Sequence, residues 1–170
     1  MIWRRTAVAV AIVILAVALQ TTLFLNLRPF DIAPALALLV VFAVSRQLGS
    51  VEAVVLGFFS GLLLDLLSET PLGLWALVVC SVAYATVRLR HRMEDDMWLV
   101  AAGVFVISFG ALALFAVLGT IFGERTLADA GVVRKMLLPA VYNTILAAGV
   151  VPLVTRAVGE RDRARRGWDL

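Results

Sequence analysis

The sequence predicts an all-α integral membrane bundle of about six transmembrane helices, with both termini in the cytoplasm, and three observations lead there. Of the 170 residues, 62% are hydrophobic and 16% charged, with a mean hydropathy of +1.00, against about 45–50% and about 25% in ordinary soluble domains. A body of 18.4 kDa has too little interior to hide that much apolar surface from water. The apolar residues also run continuously as Ala, Val and Leu, without the alternation of a barrel strand. In hydrocarbon only helices and closed barrels satisfy every backbone group, so the runs read as helices. Finally, the Lys and Arg residues lie in the breaks between runs, where topology signals belong.

Taken in order, residues 6–25 form the clearest span, since about 17–25 apolar residues are needed to cross. Arg4-Arg5 followed by Ala16-Val17-Ala18 resembles a secretory signal with its cleavage site. The run continues through Leu23-Phe24-Leu25, and that length favours a retained span. Pro29 breaks the chain after it, because proline disfavours helix for the residue before. Residues 32–45 are short for a span and cover about 21 Å of a hydrocarbon layer about 30 Å thick. This segment is counted as a span that either lies partly inside the bundle or extends into Phe30 and Arg46.

Residues 51–67 and 72–87 follow, joined by the tight connection Ser68-Glu69-Thr70-Pro71. A charged loop at 88–96 leads to the span 97–121, and the longest loop, 123–135, leads to the span 136–155. Pro139 and Pro152 bracket the middle of that last span and are candidate kinks. Residues 156–170 make a basic tail, expected to fray and to rest near anionic lipid. With six spans, Arg28, Arg125, Arg134 and Lys135 fall outside, and the remaining eleven of the 15 basic residues fall inside. The whole chain is one multi-span domain in the cytoplasmic (inner) membrane on this reading. The net charge of +3 is accounted for by topology, with no nucleic-acid partner.

Candidate chemistry is sparse. His91, the single histidine, sits among Arg88, Arg90 and Arg92 and reads as a solvated loop residue. Glu94-Asp95-Asp96 beside that basic run reads as a hydrated charged loop. Cys80 is the single cysteine, so neither a disulfide framework nor a Cys/His zinc pattern can form from it. No catalytic set, metal site or cofactor site is expected, and the protein reads as a non-enzyme.

Two polar features are more informative. Gly57-Phe58-Phe59-Ser60-Gly61 has GxxxG spacing, and Gly57, Gly61, Asp65 and Ser68 share one narrow helical stripe. Small residues allow close helix approach in lipid, either within the bundle or against a separate partner helix. Asp65 is the one acidic residue well inside an apolar run, which marks it for a functional hypothesis. Tyr142 and Asn143 are polar contacts expected inside the last span, since an unpaired amide in hydrocarbon is costly. The sharpest expectation joins these features. Asp65 and Asn143 hydrogen-bond each other, and Gly57 and Gly61 then form a flat groove for one partner helix.

The stretch from Pro34 through Tyr84 resembles the rod shape-determining MreD family. The pieces that carry the resemblance are Pro34-Ala35-Leu36, then Gly57 to Asp65, then Pro71-Leu72-Gly73-Leu74-Trp75, then Pro139 to Asn143 with Pro152-Leu153. The resemblance implies a non-enzymatic membrane scaffold of the cell-elongation machinery. Its implied partner is MreC, a single-span protein, and through it MreB, RodA and a class B penicillin-binding protein that support peptidoglycan synthesis. It also implies a fold similar to the substrate-binding subunits of energy-coupling-factor transporters. The alternative reading is therefore a vitamin-binding transport subunit. A ligand pocket needs convergent polar groups, and Trp75, Tyr142 and Asn143 are few for that task.

Overall fold

The computed structural model describes residues 2–26, 35–68, 70–93, 96–123, 126–127 and 131–159. Pro29, Pro34, Glu69, Glu94, Asp95 and most of the basic tail, which figure in the sequence reading, lie outside the described residues. Six α-helices follow one another: α1 (Ile2–Asn26), α2 (Leu36–Ser45), α3 (Ser50–Leu67), α4 (Leu74–Leu89), α5 (Met97–Ile121) and α6 (Val132–Val158). A 3-10 turn, Arg90–Arg92, extends α4. There is no strand among the described residues. By length and composition α1, α3, α5 and α6 can each cross a membrane.

Five helices form a ring in the order α1, α3, α4, α5, α6, and α6 returns to α1; α2 stands in the middle and touches all five. The placement follows from composition. Each ring helix has an apolar outward face, with Ile14, Leu15, Val55, Phe59, Val106, Ile145 and Leu153 among its exposed side chains. In α2, every residue from Ala37 to Ser45 is buried. A helix that is apolar all round has no face to give to water and settles in the centre.

Of the expected span 32–45, residues 36–45 form α2, while 32–34 lie outside the described residues. The 10 residues of α2 rise about 15 Å, roughly half of the hydrocarbon layer. The expected place inside the bundle is what the structure shows for residues 36–45. The segment 72–87 becomes α4 at Leu74–Leu89, because Gly73 takes a left-handed backbone (φ 97°) that ends the preceding turn. The last span lengthens to Val132–Val158 and stays helical through Pro139 and Pro152. The chain beyond residue 155 therefore continues as helix for three more residues.

Charge complements the helix ends. A helix leaves N–H groups unpaired at its start and carbonyls at its end, which favours anions at the first and cations at the second. The Glu52 carboxylate accepts from Gly49 N–H (3.2 Å) at the start of α3, and that of Asp96 accepts from Trp98 N–H (2.9 Å) at the start of α5. At the opposite polarity, Arg5 donates from Nε to Val158 O (3.2 Å) and from Nη2 to Gly159 O (2.8 Å) and Gln47 O (3.4 Å). Arg46 donates to Met93 O (3.0 Å), and buried Arg90 to Leu48 O (2.8 Å). These contacts gather the start of α1 and the ends of α2, α4 and α6 at one end of the bundle, here called the basal end. Both helical termini of the chain are thus on the same side.

Candidate functional site

The glycine stripe and the carboxylate above it form one continuous seam between α3 and α4. A Cβ built on Gly57 would lie 2.7 Å from Ala83 Cβ and 3.1 Å from Val79 O. One built on Gly61 would lie 2.5 Å from Ala76 Cα and 2.7 Å from Ala76 N. Real Cβ atoms do not come that close, so the two helices meet at this separation only because glycine occupies both positions. The stripe is therefore filled by α4. This corrects the expectation of an open groove for a partner helix on Gly57 and Gly61: both are buried, and the neighbour they were suited to receive is already in the chain.

Asp65 crowns the seam and is only 3% exposed. Its Oδ2 accepts from the backbone N–H of Gly73 (2.9 Å) and Ala76 (3.1 Å). Its Oδ1 accepts from Trp75 N–H (2.9 Å) and from the Thr70 hydroxyl (3.4 Å). The start of α4 has no side-chain cap of its own, since its N-cap is Gly73. A carboxylate from the neighbouring helix takes that place. Three orphan N–H groups and the positive end of the α4 dipole meet one negative charge, which makes burial of the carboxylate tolerable. Trp75 completes this end of the bundle by packing its ring against Phe115 of α5, with centroids 4.4 Å apart.

Asn143 forms a second polar centre and does not meet Asp65. The side chain is fully buried, and Nδ2 donates to Ala35 O and Ser108 Oγ, each at 3.1 Å. The expected Asp65–Asn143 hydrogen bond is corrected accordingly. Asp65 sits in the last turn of α3 and faces the start of α4, whereas Asn143 lies almost halfway along α6 and faces α2 and α5. Asp65 finds its partners in the free N–H groups at the start of α4, and Asn143 in the Ala35 carbonyl and the Ser108 hydroxyl. Tyr142, one residue before Asn143, is half-buried.

Three residues of this second centre were missed in the sequence reading. Gln20 accepts from Ala37 N–H (2.8 Å) and caps α2 as Asp65 caps α4. Ser108 holds Asn143, and Ala35 supplies the carbonyl. The signal for Gln20 and Ser108 was present, since each is a polar residue within an apolar run. Among the described residues no three His, Cys, Asp or Glu side chains gather in a way that could hold a metal ion.

A ring of apolar helices around a buried short helix, with Asp65 and Gln20 devoted to helix starts, defines an integral membrane bundle. Within that class the sequence finds its relatives: the chain matches the family model of the rod shape-determining protein MreD over residues 4–156, and it belongs to that family. Comparison with curated proteins and with solved structures found no match.

Proposed function

We propose that the chain is a non-enzymatic, multi-pass scaffold of the rod-shape and cell-elongation complex in the cytoplasmic membrane, and that it binds MreC. Membership of the rod shape-determining family across residues 4–156 carries this reading. The polar interior supports it. The Asp65 carboxylate is occupied by four donors from its own chain, and the amide of Asn143 gives both of its hydrogens to α2 and α5. These residues hold helices in place. The basal end, with its arginine-capped helix ends, faces the cytoplasm on this reading, in keeping with the excess of basic residues there. MreB, RodA and a class B penicillin-binding protein are then reached through MreC, and the basic tail rests on anionic lipid.

MreC has to dock on the outward face of the ring, because α4 covers Gly57 and Gly61. The test is co-purification from mild detergent with a tagged MreC-like single-span protein. A stable one-to-one or higher complex is expected. Failure to recover it, together with a vitamin-like small molecule retained from the medium, would overturn the scaffold in favour of a transport subunit.

A further inference from the structure

The amide of Asn143 is only half satisfied. Its two hydrogens go to Ala35 O and Ser108 Oγ, but among the described residues Oδ1 has no hydrogen-bond partner, and the residue is fully buried. The orientation is not interchangeable. Ala35 O can only accept, so a turned amide would set two oxygens against each other. Ser108 is 3% exposed and accepts from Asn143, and among the described residues its own hydroxyl hydrogen goes to no acceptor. An acceptor without a donor and a hydroxyl hydrogen without an acceptor therefore lie side by side where α2, α5 and α6 meet. Buried polar groups in native proteins are almost always paired, and an orphan at such a junction points to a molecule that completes it.

We infer that Asn143 Oδ1 and the Ser108 hydroxyl together bind an O–H group from outside the chain, either a buried water or the hydroxyl of a small molecule. The chemistry selects the group. It has to donate to Oδ1 and accept the Ser108 hydrogen at the same time. An ammonium can only donate and a carbonyl only accept, whereas a hydroxyl does both. The site lies at the start of the central helix, where Ala35 O accepts from Asn143 and Ala37 N–H is capped by the Gln20 side-chain carbonyl.

The chain has only two asparagines, Asn26 and Asn143. The full-length protein carrying Asn26→Gln and side-chain 13C-carbonyl asparagine therefore reports on Asn143 alone by infrared spectroscopy. The Asn143 carbonyl stretch is expected in the hydrogen-bonded range. In Ser108→Ala, which removes one of the two anchors, at least half of the band intensity is expected to move toward the free-carbonyl position. A free-carbonyl band in the otherwise unmodified protein overturns the inference, as does a hydrogen-bonded band that ignores Ser108→Ala. Mass spectrometry of the extract from denatured protein separates the two sources. A stoichiometric hydroxyl-bearing compound identifies a ligand, and a clean extract identifies water. Neither result depends on MreC binding, so the scaffold reading stands or falls separately.

Discussion

Adding one methyl group at Gly61 is the sharpest test of the α3–α4 seam. In Gly61→Ala the new Cβ would stand 2.5 Å from Ala76 Cα and 2.7 Å from Ala76 N. Ordinary carbon contacts are about 3.5–4.0 Å, so α4 must retreat by about 1 Å or more. The obstacle is backbone and cannot be moved by a rotamer change. Overpacking of this kind costs about 1–3 kcal/mol. The same displacement stretches the bond from Ala76 N–H to Asp65 Oδ2, now 3.1 Å, so the cap is strained together with the packing. Gly149→Ala is the matched control. That glycine is exposed within α6 with nothing within 4 Å of the added atom, and helix propensity there favours alanine by about 0.5–1 kcal/mol. Thermal unfolding in one detergent should place Gly61→Ala below the unmodified protein and Gly149→Ala level with it or above. Equal melting of the two variants would mean that the close approach of α3 and α4 is not what the glycine supplies. A Gly61→Leu protein that melts normally and loses MreC would restore the open-groove reading.

Three further outcomes are expected. Asp65→Asn keeps the shape but removes the charge and places an N–H₂ against backbone donors, which should lower stability by about 1.5–3 kcal/mol and speed hydrogen exchange at Gly73, Trp75 and Ala76; unchanged exchange at those amides would refute the cap. Arg5→Lys cannot reach Val158 O, Gly159 O and Gln47 O together, so the end of α6 should become more susceptible to limited proteolysis at a cost of about 1 kcal/mol in melting stability. In a Cys80→Ala background, single cysteines replacing Glu69 and Arg163 should be labelled by an impermeant reagent from opposite faces of the membrane, and labelling of both from one face would refute the proposed topology.

The membrane class and the order of the helices were legible because they rest on composition and on run length, which are local properties. The central position of α2 was half legible. Its length already falls short of a span, and its lack of any polar face is visible in the sequence, but which helices surround it depends on pairing. The use of Asp65 was harder to read. A carboxylate in an apolar run signals a partner, yet the partner is backbone, and every residue type offers backbone equally. Depth arguments alone directed it to Asn143, whereas Gly73 had left the start of α4 without a side-chain cap close by. The glycine stripe shows the same limit. GxxxG spacing specifies a close neighbour but carries no mark of whether that neighbour belongs to the same chain.

The central helix also constrains how the molecule is assembled. A segment of 10 residues cannot rest in a bilayer by itself, because its ends would leave backbone groups in hydrocarbon without partners. Helices α1, α3, α5 and α6 can enter the membrane one at a time, but α2 needs walls before it can stay. Its amide at Ala37 is paired by Gln20 from the helix before it, and the carbonyl at Ala35, which also accepts from Leu39 N–H, gains a second donor in Asn143 of α6. Synthesis therefore passes through a stage in which the future centre of the protein has been made but still lacks part of its wall. Only the arrival of α6, more than 85 residues later in the chain, completes the enclosure. Truncation before α6 should leave α2 the first segment exposed to quality-control proteases, even though it is the most deeply protected part of the finished bundle.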